Sequence, residues 1–195
     1  MKRDQIKKLL VGAIATVPTP FNEDFRVNYS LMEEATENWI QAGLVTGKSV
    51  IKVAAAMGEG PQLREEEGPR LLSAVVRSAR GRVPVVYSIH HKDTLRTVED
   101  AKQAQSLGAV GLQISPPIFN HPSQDDILRF YEAVSDNIDV GILVYNTHWF
   151  QGGAIYPETF RKMTQFENVV VIKWSPPEGI DYEEIFSLAD VFNII

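Results

Sequence analysis

An α/β fold on a parallel sheet, closed as a (β/α)8 TIM barrel, is the architecture this 195-residue sequence predicts. Three observations lead there. Strand-length apolar runs recur along the chain and alternate with amphipathic stretches of helical period, which implies βαβ units and parallel pairing. The polar residues that close those runs, among them Lys173, Tyr145, Glu59 and His90, fall where barrel active sites lie, at the C-terminal ends of strands. No G-x-G-x-x-G follows the first run and no Walker A loop occurs anywhere, which weakens the nucleotide-binding alternative of an open doubly wound sheet.

The elements follow in order. The N-terminal decapeptide is basic, and the apolar run after it is broken by Thr16, Pro18 and Pro20, so it does not read as a signal peptide. Strand-like runs occur at 10–17, 49–56, 83–89, 110–115, 140–146, 169–175 and 191–195. Their near-continuous apolarity suits strands covered on both faces. A first amphipathic helix has Ser30 as its expected N-cap and Gly43 as its stop; another begins at Asp93 and stops at Gly108. Acidic residues in the first turn of S-Q-D-D-I-L-R-F favour the helix dipole, and Pro157 suits the opening of the next helix. The stretch from Arg64 to Arg80 is less regular, and Gly68-Pro69 within it marks the expected helix start.

No composition break divides the chain, so residues 1–195 read as a single barrel domain. A barrel of this type needs about 250 residues and eight strands. The seven runs therefore cover about seven βα units, and the expectation is that the C-terminal part is missing.

Composition excludes several function classes. A net charge of −6 argues against a nucleic-acid partner. Cysteine is absent, which removes disulfides, thiolate nucleophiles and Cys-ligated zinc. No apolar stretch approaches transmembrane length, and 44% hydrophobic with 23% charged residues is ordinary for a soluble globular protein. A cytoplasmic location without membrane attachment is expected.

The chemistry centres on Lys173, in the run V-V-V-I-K-W-S. An ammonium group in a buried run is costly, so its pKa falls and the amine becomes a usable nucleophile. The other reading is a core-packed stem with its head in solvent. Tyr145 closes V-G-I-L-V-Y-N and is either a proton carrier or a packing tyrosine. Lys52 precedes its strand end and reads as a snorkelling side chain. His90 and His91 are adjacent, and neighbours on a strand face opposite sides, so they do not make a metal site; His90 and His148 are candidates to line a pocket. Glu59 reads as a structural carboxylate accepting backbone N–H bonds, and the run from Arg64 to Glu67 as a solvated helix start. Trp149-Phe150 is either core or a substrate-facing aromatic wall, and its place just beyond Tyr145 favours the wall.

These motifs resemble the dihydrodipicolinate synthase/N-acetylneuraminate lyase superfamily of class I aldolases. V-P-T-P-F (Val17 to Phe21) resembles its opening strand and turn. A-A-M-G-E-G-P-Q-L-R-E-E-E (Ala55 to Glu67) resembles its G-T-T-G-E segment. L-V-Y-N resembles the strand that carries its tyrosine, and P-E-T-F-R-K-M followed by N-V-V-V-I-K the segment that carries its lysine. The resemblance implies that Lys173 attacks the ketone of pyruvate or another 2-oxo acid, giving an imine, while Tyr145 shuttles protons. It implies no metal or organic cofactor and a homo-oligomer, tetramer or dimer. The substrate carboxylate would be held by the N–H groups of Ala56 and Met57.

The departures are specific. Ala56 and Met57 replace two threonines, Ile118 and Phe119 a tyrosine pair, Phe150 a carboxylate-gripping arginine, and Trp174 a residue that is often glutamate. Together they describe an apolar, aromatic site in which Ala56, Met57, His90, Phe119, His148, Phe150 and Trp174 contact the substrate. They speak against dihydrodipicolinate synthesis itself and for a less polar substrate. Two alternatives stay open: a 2-oxo acid dehydratase or hydratase-aldolase, and a non-catalytic family member acting as a ligand-binding or scaffold protein.

Overall fold

Seven parallel strands lie in the order β1 to β7, each hydrogen-bonded to its sequence neighbours, in a computed structural model that describes residues 2–90, 92–117, 121–147, 154–175 and 182–195. The strands are β1 (Ala13–Thr16), β2 (Ser49–Val53), β3 (Val85–Ile89), β4 (Gly111–Ile114), β5 (Gly141–Thr147), β6 (Val169–Ser175) and β7 (Asn193–Ile194). Helices α2 (Tyr29–Gln41), α3 (Glu67–Ala79), α4 (Thr94–Ser106), α5 (Gln124–Ser135) and α6 (Pro157–Met163) connect successive strands from β1 to β6, and α7 (Glu183–Phe186) lies between β6 and β7. This is the architecture of a partial TIM barrel.

Strand parity splits the apolar residues into two groups. Ile51, Val53, Ile89, Leu112, Ile114, Val144 and Ile172 belong to the large core that also contains the buried faces of the helices. Val50, Val86, Leu143 and Val171 belong to a second cluster on the opposite face, with Ile14 against it. The side-chain period of two on a strand produces this division.

Helix α1 (Arg3–Leu9), which the sequence reading did not anticipate, joins the second cluster through Ile6 and Leu10. Two glycines make room for it. A Cβ on Gly141 would lie 2.6 Å from Ile6 Cγ2, and one on Gly111 would lie 3.2 Å from Leu10 Cδ1. The helix is tied down at both sides: Arg3 donates to the carbonyls of Thr164 and Phe166, and Asn193 Nδ2 donates to those of Lys7 and Leu10. The N-terminal helix thus plugs the floor of the sheet's concave side.

Helix starts follow local chemistry, with one correction. The cap of α2 is Asn28, whose side chain accepts from the Leu31 N–H, and not Ser30. Asn is as good a cap as Ser, and its earlier position lets Tyr29 join the helix. Asp93 and Ser123 cap α4 and α5 as their sequences suggest, Ser123 with Asp126 in a capping box. Helix α3 carries Gly68 and Pro69 in its first turn.

Candidate active site

Lys173 and Tyr145 are register partners on β6 and β5. The Lys173 ammonium nitrogen lies 4.1 Å from the centroid of the Tyr145 ring. Strand pairing brings the two together because parallel neighbours at one register level point the same way. Lys173 is half-buried, and burial lowers its pKa below the ordinary lysine value. The ring face attracts the cation and opposes that shift; desolvation prevails.

A second lysine stands in the same interior. Lys52 is only 4% exposed, and its Nζ donates to Gln113 Oε1 at 2.8 Å. This corrects the snorkelling reading: the sheet is curled, so a side chain from the middle of β2 meets β4 across the concave side instead of reaching water. Burial first, and the charge of Lys173 second, push the Lys52 pKa down to about 8. Ser88 on β3 and Ser115 just past β4 are 3% and 2% exposed, and neither hydroxyl has a hydrogen-bond partner among the described residues.

The turn after β2 closes over the end of β1. Gly58 and Gly60 are required there, since a Cβ on Gly58 would lie 2.3 Å from the Val17 carbonyl and one on Gly60 1.8 Å from that of Ala54. Thr19 donates its hydroxyl proton to the Gly58 carbonyl. Ala56 and Met57 sit at the crest, with Met57 87% exposed. Among the described residues, their N–H groups donate to no backbone carbonyl.

Other expected residues are placed differently. Trp174 lies on the helix side of β6, edge-on to Phe160 at 5.9 Å. It follows Lys173 directly, so strand alternation turns it away from the interior that holds Lys173. Its indole N–H is buried without a partner among the described residues. Glu59 is exposed, and the carboxylate that accepts backbone N–H groups is Glu67, from Val27 at 3.3 Å and Arg64 at 3.0 Å. Glu67 is buried, so the run ending there is not simply solvated. His90 ends β3 with Nε2 3.0 Å from the Ala54 carbonyl oxygen. It lines a cavity of about 270 Å³ with Tyr87, Lys92 and Asp100, between β3 and its flanking helices and apart from Lys173.

Phe119, His148 and Phe150, with Ile118, His91 and Trp149, lie outside the described residues. Asn146, beside Tyr145, faces away from the interior and clamps the returning chain. Its Nδ2 donates to the Ile155 carbonyl at 2.9 Å, and its Oδ1 accepts from the Ile155 N–H at 3.0 Å. No group of three or more metal-ligating side chains occurs among the described residues. No helix among them is long and apolar enough to cross a membrane.

Comparison with known proteins places this geometry in context. Residues 9–184 match the model of the dihydrodipicolinate synthetase family. A 4-hydroxy-tetrahydrodipicolinate synthase from Halalkalibacterium halodurans is 32% identical over 164 residues, 84% of this chain and 54% of that protein. The synthase from Thermotoga maritima is 31% identical over 178 residues, 91% of this chain and 59% of the relative. The chain therefore spans little more than half the length of these relatives. Among solved structures, dihydrodipicolinate synthase from Aquifex aeolicus superposes with a TM-score of 0.84 at 26% identity, over 94% of this chain and 62% of that one. A prophage protein from E. coli K12, solved in complex with pyruvate, gives 0.85 at 21% identity, over 96% and 63%; at that identity the likeness concerns the fold.

Proposed function

Because the chain belongs to the dihydrodipicolinate synthetase family, we propose that it acts as a class I aldolase-type lyase in which Lys173 forms a Schiff base with a 2-oxo acid. The observation that carries the reading is the amine of Lys173, held half-buried over the Tyr145 ring at the C-terminal end of a parallel strand, with its pKa lowered by burial.

The steps follow from the chemistry of that amine. Neutral Lys173 Nζ attacks the C2 carbonyl of the 2-oxo acid to give a carbinolamine. Loss of water, with a proton delivered to the departing hydroxyl, gives the iminium. The iminium withdraws electrons from C3, so a C3 proton can leave, and the resulting enamine adds to a carbonyl partner. Reversal of these bonds cleaves an aldol. The Tyr145 phenol, beside the amine, serves as the proton carrier in this scheme. The N–H groups of Ala56 and Met57 hold the substrate carboxylate. Pyruvate is the first candidate substrate, and the enzyme needs no metal or organic cofactor. A homo-oligomer in the cytoplasm, dimer or tetramer, fits the family.

Phe150 in place of the arginine that would grip a second carboxylate, and Ala56 and Met57 in place of hydroxyl-bearing residues, favour a substrate other than that of the dihydrodipicolinate synthases. A dehydratase or hydratase-aldolase is one form this takes. The same losses support a second reading, a family member that binds a 2-oxo acid without turnover.

Borohydride reduction in the presence of pyruvate, followed by peptide mass spectrometry, tests the proposal. The expected result is a pyruvyl adduct on Lys173 that disappears in Lys173→Ala. No adduct on folded protein would overturn the pyruvate reading. An adduct without turnover of any aldehyde partner or dehydration substrate would select the binding role.

A further inference from the structure

Two polar layers line the concave side of the sheet, and their composition follows from register. In a barrel, side chains of one layer come from alternate strands, and the stagger advances one residue per strand. Lys52 is level with Val86, which is level with Gly111; two residues on from Gly111 is Gln113. The observed bond from Lys52 to Gln113 confirms that step. Gln113 is level with Leu143, which is level with Val171, and two residues on is Lys173. Lys52, Gln113 and Lys173 therefore occupy one layer, from β2, β4 and β6. By the same count Thr16, Ser88 and Tyr145 form the interleaved layer from the odd strands, and the apolar cluster of Val50, Val86, Leu143 and Val171 lies beneath.

Resting on the Schiff-base reading of Lys173, we infer that Lys52 is a positioning residue: a cation held by Gln113 in the same interior layer, whose field disfavours protonation of the Lys173 amine and so raises its reactive neutral fraction. A like charge in a poorly solvated space disfavours protonation of its neighbour, and a nearby cationic group is an established way to activate a lysine nucleophile. The coupling acts on both amines; on the Lys52 side the charge of Lys173 adds to burial in lowering the pKa to about 8, while on the Lys173 side burial is the cause of the shift. Among the described residues, the other titratable group on the inward strand faces is Tyr145 on β5, with His90 at the mouth of the separate cavity beside β3; β1 offers Ile14 and Thr16, and α1 with the residue that follows it offers Ile6 and Leu10. Among the described residues, the charge acting on Lys52 is that of Lys173.

The device has a pH window. Below about 8 Lys52 carries its proton and assists Lys173; above it Lys52 becomes neutral and the assistance ends. Its test reads Lys173 directly, without any substrate. The labelling rate of Lys173 by acetic anhydride is followed by peptide mass spectrometry from pH 6 to 10 in the wild type, Lys52→Met and Lys52's partner variant Gln113→Leu. Exposed Lys162 serves as the reference.

At pH 7, Lys173 should react about tenfold more slowly in Lys52→Met, the effect of one pKa unit, and the gap should close above about pH 9. In Gln113→Leu, which leaves the Lys52 ammonium without its acceptor, Lys52 loses its proton sooner, so the rate advantage over Lys52→Met should close at lower pH than in the wild type. Equal rates at all pH values, or a ratio that stays constant with pH, would overturn the inference. Pyruvate trapping in parallel separates the two readings. A pH-dependent gap without a pyruvyl adduct sinks the substrate assignment and leaves the two-amine layer standing; an adduct without the gap does the reverse.

Discussion

At the residue scale, the proposed chemistry depends on keeping one amine unprotonated beside one phenol. Burial lowers the Lys173 pKa, and the Tyr145 ring beneath it supplies a nearby hydroxyl-bearing group. Tyr145→Phe keeps the ring and removes the phenol proposed as the proton carrier. Imine formation with pyruvate should then slow by roughly 100-fold, the low end of what a positioned acid–base group contributes. Acetic anhydride labelling of Lys173 should change far less. Stopped-flow or quench trapping on the same preparation checks both, and equal loss in the two assays would mean that Tyr145 only shapes the site. Wild-type imine formation should also rise with pH through the neutral range, because the deprotonated amine is the attacking form and its pKa is lowered.

At the element scale, alternation along single strands sorts function from support. On β5 Tyr145 faces the interior while Asn146 faces outward and bridges to Ile155 with both ends of its amide. On β6 Lys173 faces inward while Trp174 packs on Phe160. Asn146→Ala removes both bonds and leaves the buried Ile155 N–H and carbonyl unsatisfied, at a cost of about 1–3 kcal/mol per group. Urea unfolding should show that loss, with Lys173 still trapped by pyruvate in the folded variant. Trp174→Phe, by contrast, should leave trapping rates near wild type, since the indole does not reach the interior; a tenfold change in rate would contradict its placement.

At the scale of the whole molecule, the second interior lysine sets its proposed assistance to Lys173 against stability. Its folded pKa of about 8 lies below the 10.5 of an unperturbed lysine. The unfolded chain therefore binds more protons between those values, and stability rises with pH across that window. Below pH 8 the cost is present in full, at most on the order of 3 kcal/mol. The double variant Lys52→Met/Gln113→Leu replaces both polar partners with apolar groups of similar size, which is often stabilising in a buried site. It should melt several degrees above the wild type at pH 7, with the difference shrinking toward pH 10. Thermal melts at the two pH values check this, and a lower melting temperature at pH 7 would show that the pair supports the fold.

Much of this was legible in the residues. Strand and helix positions follow from local periodicity, and the parallel sheet from their alternation; Lys173 and Tyr145 stand out because each interrupts an apolar run near its end. The outward placement of Trp174 was also available, since the parity that separates His90 from His91 applies equally to Lys173 and its neighbour. Other features were not. Helix α1 has no strong pattern of its own, and its role comes from the gaps left by Gly111 and Gly141 on strands far away in the chain. Glu67 rather than Glu59 ties the backbone because the start of α3 is buried against Val27. Lys52 and Gln113 are distant in sequence, and each alone reads as an oddity within an apolar strand. Periodicity is a property of one segment, whereas a barrel layer is set by the stagger between strands. That stagger is fixed only when the sheet curls, and it is what brings Lys52, Gln113 and Lys173 to one level.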